Sequence, residues 1–203
     1  MLIKTIPVGQ LETNCYVVTN EDTLECVVID PGDEANTILD YLESNHLKCR
    51  AVFLTHAHAD HIGALTLVAE ELDVPFYMNE REKAIRQRDR LFLDLYEKRG
   101  RNYDDGDTVD IAGLHFQIVA TPGHTPGGVT IRCEDALFTG DTLFKGSCGR
   151  TDLRGGDMEQ ELKSLKKICQ LPGDYEVYPG HMDSSTLERE RQFNYYCRAA
   201  LRG

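Results

Sequence analysis

The sequence Thr-His-Ala-His-Ala-Asp-His, at residues 55–61, places three imidazoles and one carboxylate within six residues. Neutral imidazole nitrogen and carboxylate oxygen are the ligands that Zn²⁺ and related divalent ions bind in proteins. Imidazoles packed this densely in an ordinary core would repel one another on protonation, so a structural role explains the cluster poorly. The stretch therefore predicts a metal site.

The same ligand types recur singly in three later segments. His124 lies in Thr-Pro-Gly-His-Thr-Pro-Gly, Asp141 in Thr-Gly-Asp-Thr-Leu, and His181 in Pro-Gly-His. Glycine, proline, aspartate and threonine beside each ligand predict loops. These segments and the first cluster hold five of the seven histidines, and we do not expect the other two, His46 and His115, to be ligands.

The bulk composition is that of an ordinary globular chain. The 203 residues predict one domain, 41% of them are hydrophobic and 28% charged, and the formal charge is −12. Such a charge argues against nucleic acid as the main partner, because nucleic-acid binders present basic faces. We expect a small-molecule substrate and no membrane contact, since no window approaches the roughly 18 apolar residues of a membrane helix. The oligomeric state is left open.

The cysteines and the start of the chain bear on the cellular compartment. Seven cysteines are scattered without a Cys-x-x-Cys pair, which is typical of reduced thiols rather than of a disulfide framework. The first residues, Met-Leu-Ile-Lys-Thr-Ile-Pro, lack the layout of a signal peptide. We therefore expect a cytoplasmic protein.

Residue patterns predict the order of strands and helices. The predicted strands are 15–19, 25–30, 51–54, 108–111, 114–119, 129–133, 136–139 and 176–178, and the predicted helices are 35–45, 62–72, 158–168 and 186–200. Strands precede helices in both halves, and ligand loops follow strand ends in both. This order predicts an α/β protein with two sheets packed face to face and helices outside, an αββα four-layer sandwich formed by residues 1–203.

Residues 80–105 differ in composition from the rest of the chain. They carry eight Lys or Arg and seven Asp or Glu, and their leucines are too irregularly spaced for a fully buried helix. The pattern favours a solvated helical insertion. The alternative is a lid or a dimer contact beside the active site.

The ligand pattern resembles that of the metallo-β-lactamase-fold hydrolases, and the resemblance extends over residues 14–181. Within that superfamily, residues 121–127 and 140–144 are similar to the glyoxalase II branch, the hydroxyacylglutathione hydrolases. Cys-Gly-Arg-Thr-Asp at 148–152 is shared with short bacterial members of that branch and with the related persulfide dioxygenases. The resemblance implies a first ion held by His56, His58 and His124, a second held by Asp60, His61 and His181, and Asp141 bridging both.

The resemblance also implies a reaction. A hydroxide held between two divalent ions attacks a small acyl thioester such as S-D-lactoylglutathione, and Asp60 orients the hydroxide and accepts its proton. Zinc is the expected ion, with iron or manganese as alternatives. A thiol of pKa about 8.5 leaves as thiolate without a dedicated acid.

Substrate contacts are predicted less directly. Arg150 stands where the glyoxalase II family carries a basic residue for the glycine carboxylate of its substrate, but Asp152 replaces the usual tyrosine. The alternative for Arg150 is a structural pair with Asp152 or Asp157. Lys145 is either a second substrate contact or an ordinary exposed lysine.

Two other residues lie near the predicted metal loops. Cys148 is either a reactive thiol or a packing residue. Asp30 ends an early strand, where an aspartate can support the histidine loop from outside the ligand set.

Three other functions remain compatible with the same residues. A persulfide dioxygenase would hold a single iron with His56, His124 and Asp141. A lactonase or phosphodiesterase would use the same metals on another substrate. A non-catalytic binding protein is the third, and the complete set of seven ligands argues against it.

Overall fold

A computed structural model describes residues 1–202 and contains two six-stranded sheets. The strands of the first sheet lie in chain order: β1 (Leu2–Val8), β2 (Thr13–Asn20), β3 (Glu25–Ile29), β4 (Lys48–Phe53), β5 (Phe76–Met78) and β6 (Gly100–Asn102). The first three strands are antiparallel, and β3 to β6 run parallel to one another. The strands predicted at 15–19 and 25–30 are thus present as β2 and β3, which pair with each other.

The second sheet is mainly antiparallel. Its strands are β7 (Thr108–Ile111), β8 (Leu114–Ala120), β9 (Val129–Cys133), β10 (Ala136–Gly140), β13 (Glu176–Pro179) and β14 (Ser185–Thr186). The order across the sheet is β14-β13-β10-β9-β8-β7, and β10 and β13 form its parallel pair. A small separate hairpin, β11 (Leu143–Phe144) and β12 (Ser147–Cys148), follows β10.

Seven α-helices and one 3₁₀ turn lie within the described residues. They are α1 (Ala35–Ser44), α2 (Ala59–Ile62), α3 (Leu65–Glu71), α4 (Arg90–Arg99), α5 (Met158–Cys169), α6 (Leu187–Phe193), α7 (Tyr195–Arg202) and the turn Glu80–Ala84. Within residues 1–202, none of these helices combines the length and the apolar character that crossing a bilayer would require.

Three apolar layers give the protein its architecture. The middle layer lies between the sheets, where Phe53 and Val18 of the first sheet meet Phe116 and Phe138 of the second. The outer face of the first sheet packs on α1, α3 and α4, and that of the second packs on α5, α6 and α7. A strand buried on both faces must be apolar at every position, which explains the continuous hydrophobic runs. The predicted αββα sandwich is confirmed.

The ligand-bearing segments gather at one edge of the two sheets. Parallel strands β3 and β4 end together, which brings Asp30 beside residues 55–61. Parallel strands β10 and β13 likewise bring Asp141 beside His181. The main-chain N–H of Val129 donates to Thr55 O at 2.9 Å and so joins the two edges. The sheet topology therefore builds one site from segments distant in sequence.

Two predicted helices are each broken in the structure. The helix expected at 62–72 begins only at Leu65, as α3, and is separated from the short α2 by Gly63 and Ala64; a Cβ added to Gly63 would lie 2.3 Å from the carbonyl oxygen of Gly32. The helix expected at 186–200 is divided into α6 and α7 at Asn194. This buried residue caps α7, since its Oδ1 accepts the N–H of Tyr196 at 2.9 Å. At Asn194, an extended backbone and side-chain capping override the helical spacing.

Residues 80–105 are largely exposed and are also attached to the first sheet. Helix α4 buries Phe92 and Leu95 against the outer core of the first sheet, and β6 adds an edge strand to that sheet by pairing with β5. The carboxylate of Glu82 is fully buried. The high charge of the segment belongs to its outer face, because half of an amphipathic helix remains in water.

We expect Phe53→Ala to lower the free energy of unfolding by about 3–5 kcal/mol, because it removes a buried ring and leaves a cavity in the middle layer. The Phe53 ring packs edge to face on Tyr77 and Phe116, with centroid distances of 5.1 and 4.9 Å. Phe193→Ala is the matched control, since that ring is 68% exposed. Denaturant unfolding of both variants measures the difference, and equal losses would contradict the proposed position of the core.

Candidate metal centre

The chain turns from strand to helix within the histidine cluster. His58 is the N-cap of α2 and has an extended backbone, and its carbonyl oxygen accepts the N–H of His61 at 3.0 Å. His56 and His58 precede the helix, whereas Asp60 and His61 lie in its first turn. The change of backbone direction divides the four side chains into two pairs that face different partners.

The first group consists of His56, His58 and His124. One ring nitrogen from each lies within 4.8 Å of the others, as a shared ion requires. The closest approach is 2.9 Å between Nδ1 of His58 and Nε2 of His124. His56 and His124 are buried and His58 is half-buried, so the group opens to solvent on one side.

The second group consists of Asp60, His61 and His181. The Oδ2 atom of Asp60 lies 3.2 Å from Nε2 of His181 and 3.7 Å from Nε2 of His61. The hydroxyl of Thr13 donates to the same oxygen at 3.3 Å and helps to fix its direction. A carboxylate and two imidazoles converging in this way form a second set of three ligand atoms.

The carboxylate of Asp141 lies between the two groups. Its Oδ1 is 3.3 Å from Nε2 of His61, in the second group. Its Oδ2 is 3.4 Å from Nε2 of His124, in the first group, and 3.6 Å from Nε2 of His181. One carboxylate therefore contacts both groups, which is the arrangement that a bridging ligand requires.

These residues fit divalent cations. Within residues 1–202, the buried atoms without a hydrogen-bond partner include Nε2 of His56, Nε2 of His61 and Oδ1 of Asp141. Buried polar atoms are normally paired, and each unpaired one needs an explanation. All three belong to the two ligand groups or to the carboxylate between them, and divalent cations bound by these groups would satisfy them.

Hydrogen bonds outside the groups fix which nitrogen each imidazole presents. Nδ1 of His124 donates to the carbonyl oxygen of Arg150 at 2.6 Å, and Nδ1 of His181 donates to that of Leu11 at 3.1 Å. A carbonyl oxygen can only accept, so the proton is on Nδ1 and Nε2 faces the site. Both rings are thereby held in the tautomer that binds a metal.

Asp30 performs the same task for His61. Its Oδ2 accepts Nδ1 of His61 at 2.9 Å, and its Oδ1 accepts the main-chain N–H of Thr55 at 2.7 Å. Asp30 with His56 and His61 could also be drawn as a metal-binding group, but the carboxylate of Asp30 is already occupied by these donors. The aspartate therefore supports the histidine loop from outside the ligand groups.

The electrostatics favour the protonation state that a metal ion needs at His58 and Asp141 and oppose it at His61. Burial and the neighbouring His124 lower the pKa of His58 to about 4, so its ring is neutral at pH 7. Burial acts to raise the pKa of Asp141, but His61 and His124 hold it below its usual value. Burial acts to lower the pKa of His61, whereas Asp141 and Asp30 raise it well above its usual value. Binding of a cation at His61 would therefore displace a proton.

Glycine at position 180 allows the ligands to approach one another. A Cβ added there would lie 2.3 Å from Oδ1 of Asp141 and 2.7 Å from Cε1 of His61. Such distances are well below van der Waals contact. Any side chain at this position would push the loop of His181 away from the bridging carboxylate.

The two predicted substrate-binding side chains lie at the surface and are paired with acids. The guanidinium of Arg150 donates two hydrogen bonds of 2.7 Å to Asp152, which is the pairing that the structural alternative proposed. Nζ of Lys145 lies 3.0 Å from Oδ2 of Asp183. Burial raises the pKa of Cys148 to about 12, so this residue is a thiol rather than a reactive thiolate.

Two buried glutamates that the sequence interpretation missed hold the ligand loops. Oε2 of Glu161 accepts the main-chain N–H of His124 at 2.8 Å, and the carboxylate of Glu82 accepts N–H groups from two ligand loops. Burial raises the pKa of Glu161 to about 8 despite that bond. A signal for Glu161 exists in the sequence, because it shares the apolar stripe of α5 with Leu165 and Ile168. No comparable pattern marks Glu82 within its highly charged segment.

Comparison with known proteins identifies the family. Residues 8–181 match the model of the Metallo-beta-lactamase superfamily, and the chain belongs to this superfamily. The predicted class, a metal-dependent hydrolase, is confirmed at that level.

Curated relatives cover almost the whole chain. A probable metallo-hydrolase of Bacillus subtilis, YqgX, is 35% identical over 94% of this chain and 95% of its own length. The hydroxyacylglutathione hydrolase GloC of Haemophilus influenzae is 32% identical over 96% of this chain and 97% of its own length. Both relatives therefore share the full extent of the fold.

Three solved structures have a fold similar to that of this chain. The BLEG-1 B3 metallo-beta-lactamase superimposes with a TM-score of 0.85 at 34% identity and covers 97% of this chain and 99% of its own. TTHA1623 in a di-iron-bound form gives a TM-score of 0.82 at 33% identity, with coverages of 95% and 99%. ETHE1 from Myxococcus xanthus gives 0.82 at 28% identity, with coverages of 96% and 84%.

We expect Asp30→Asn to weaken metal binding by about 10–100-fold. The two carboxylate oxygens of Asp30 accept from His61 and Thr55, and the amide nitrogen of asparagine could not accept from either. Asp110→Asn is the matched control: Asp110 also pairs with a histidine, His115, at 2.6 Å, but on the surface. Competition with a chromophoric chelator measures both affinities. Equal affinities would show that Asp30 does not orient His61 for metal binding.

Proposed function

We propose that the protein hydrolyses small acyl thioesters, of which S-lactoylglutathione is the type, with two bound divalent ions. The carrying observation is the convergence of seven side chains into two groups that share Asp141. The similarity to the hydroxyacylglutathione hydrolase of Haemophilus influenzae supports the choice of substrate class. In this proposal His56, His58 and His124 would hold one ion, Asp60, His61 and His181 would hold the other, and the carboxylate of Asp141 would serve both.

Bound divalent ions would supply a water of lowered pKa, about 7 instead of about 15.7, and a charge that polarises the substrate carbonyl. The side chains of this protein do the rest. Asp60 accepts the proton of the attacking water and orients it, since its carboxylate is fixed by Thr13 and His181. A thioester suits this site because a thiolate of pKa about 8.5 departs without a proton donor.

We assign the substrate carboxylate to Arg150, with Lys145 as a second contact. Both side chains are at the surface, 62% and 37% exposed, so a ligand can reach them. A substrate carboxylate must displace Asp152 from Arg150 or share the guanidinium with it, because the two acids need the same donors. This competition implies weak recognition of glutathione-like substrates.

We propose zinc as the resident metal. Three imidazoles and a carboxylate are common zinc ligands, but the same nitrogen and oxygen donors also bind iron and manganese. The relative described in a di-iron-bound form supports iron as the alternative for this chain.

We expect the purified chain to hold two metal ions and Asp141→Asn to lose both the ions and nearly all thioesterase activity. The amide keeps the shape of the side chain but loses the charge that offsets two cations. His115→Ala, a change at an exposed histidine, should affect neither. Elemental analysis and thioester turnover measure both variants. A single iron, with the second group empty after metal supplementation, would instead favour a mononuclear persulfide dioxygenase.

Arg150→Ala should raise KM for a carboxylate-bearing thioester by roughly ten- to a hundredfold and leave a neutral thioester unchanged, since one charged contact is lost. Asp152→Ala should have the opposite effect, because it frees the guanidinium. Steady-state kinetics with S-lactoylglutathione and a neutral acyl thioester would measure both. Equal losses on the two substrates after Arg150→Ala would make this arginine structural.

A further inference from the structure

Glu82 is a buried carboxylate that contacts two ligand loops at once. It lies in the 3₁₀ turn Glu80–Ala84 and is 0% exposed. Its Oε2 accepts the main-chain N–H of Ala57 at 2.7 Å, and its Oε1 accepts that of Gly127, also at 2.7 Å. Removing a carboxylate from water is costly, and two short charge-assisted hydrogen bonds offset that cost.

The two N–H groups belong to the loops that carry the first metal group. Ala57 lies between His56 and His58, and Gly127 follows His124 by three residues. We propose that Glu82 is a positioning residue that cross-links these loops and sets the separation of His58 from His124. The inference rests on the ligand assignment of the proposed function and extends it to a residue outside the ligand set.

The backbone around Glu82 is built for this contact. A Cβ added to Gly127 would lie 2.9 Å from Oε1 of Glu82 and 3.0 Å from its main-chain nitrogen, so only glycine lets the loop approach this closely. Asn79 fixes the turn from the other side, because its Oδ1 accepts the N–H of Arg81 and its Nδ2 donates to the carbonyl oxygen of Tyr103. The loop of Gly127 on one side and the side chain of Asn79 on the other therefore restrain the turn that carries Glu82.

The position of Glu82 in the chain gives residues 80–105 a role. Helix α4 and strand β6 attach this segment to the first sheet through the buried Phe92 and the pairing of β6 with β5. That attachment anchors the turn on which Glu82 lies. Through the carboxylate of Glu82, the segment thereby supports the two loops of the first ligand group.

The test compares Glu82→Gln with wild type, using Co²⁺ alone as the probe. The amide presents N–H to one of the two main-chain N–H groups, so one loop loses its acceptor. In Co²⁺ titrations we expect one of the two affinities to fall by about 10–100-fold while the other is unchanged. Glu190→Gln is the matched control, a fully buried glutamate that accepts from Gly146 and Ser185, and it should keep both affinities.

A double variant tests whether Glu82 affects Co²⁺ affinity through the position of His58 or through the stability of the whole fold. Once His58→Ala has removed a ligand, Glu82→Gln should have little further effect on Co²⁺ affinity, because nothing is left to position. Additive losses would overturn the inference, and so would an unchanged Co²⁺ titration of Glu82→Gln. Gly127→Ala disturbs the same contact from the other loop and should give the same selective loss if Glu82→Gln does not fold.

The same titration distinguishes a failure of the ligand assignment from a failure of the positioning role of Glu82 alone. A wild-type chain that binds no Co²⁺ overturns the ligand assignment and this inference with it. A wild-type chain with two ions, beside a Glu82→Gln chain with the same two affinities, overturns the positioning role alone.

Discussion

Seven candidate metal-binding side chains lie close together in one site, and this constraint governs the structure. Five imidazoles and the carboxylates of Asp60 and Asp141 face one another, with His56, His61 and His124 buried. Nothing about the rings themselves favours this arrangement, because their nitrogen lone pairs repel one another. The backbone must therefore hold the rings in place when no cation is bound, and a bound cation would attract the same lone pairs.

That restraint comes from hydrogen bonds that enter the site from outside. Asp30 holds the loop of residues 55–61 through Thr55 and His61. Glu161 holds His124 by its main-chain N–H. Each carboxylate comes from a different element, and the parallel strand pairs β3–β4 and β10–β13 bring these elements to the same edge. The candidate metal centre is therefore a product of sheet topology, and buried acids outside the ligand groups hydrogen-bond to its loops.

The sequence was most informative where the cause of structure is local. Residues 55–61 predicted a metal site because the ligand types lie side by side, and continuous apolar runs predicted buried strands. It was less informative where distant segments meet. Gly63 packs so closely on Gly32 that it has no room for a Cβ, and residues 80–105 are attached to the first sheet by β6, which a charge pattern cannot reveal. Glu82 was missed for the same reason, since its partners lie 25 and 45 residues away in the chain.

Arg150 contributes to the two parts of the site through different atoms. Its carbonyl oxygen holds the ring of His124, while its guanidinium points to the surface and pairs with Asp152. Every amino acid carries the same carbonyl group, so the contact with the metal ligand does not depend on which residue occupies this position. Leu11 holds His181 in the same way. A substitution at position 11 or 150 can therefore change the surface beside the site while the hydrogen bond that orients the neighbouring imidazole is kept.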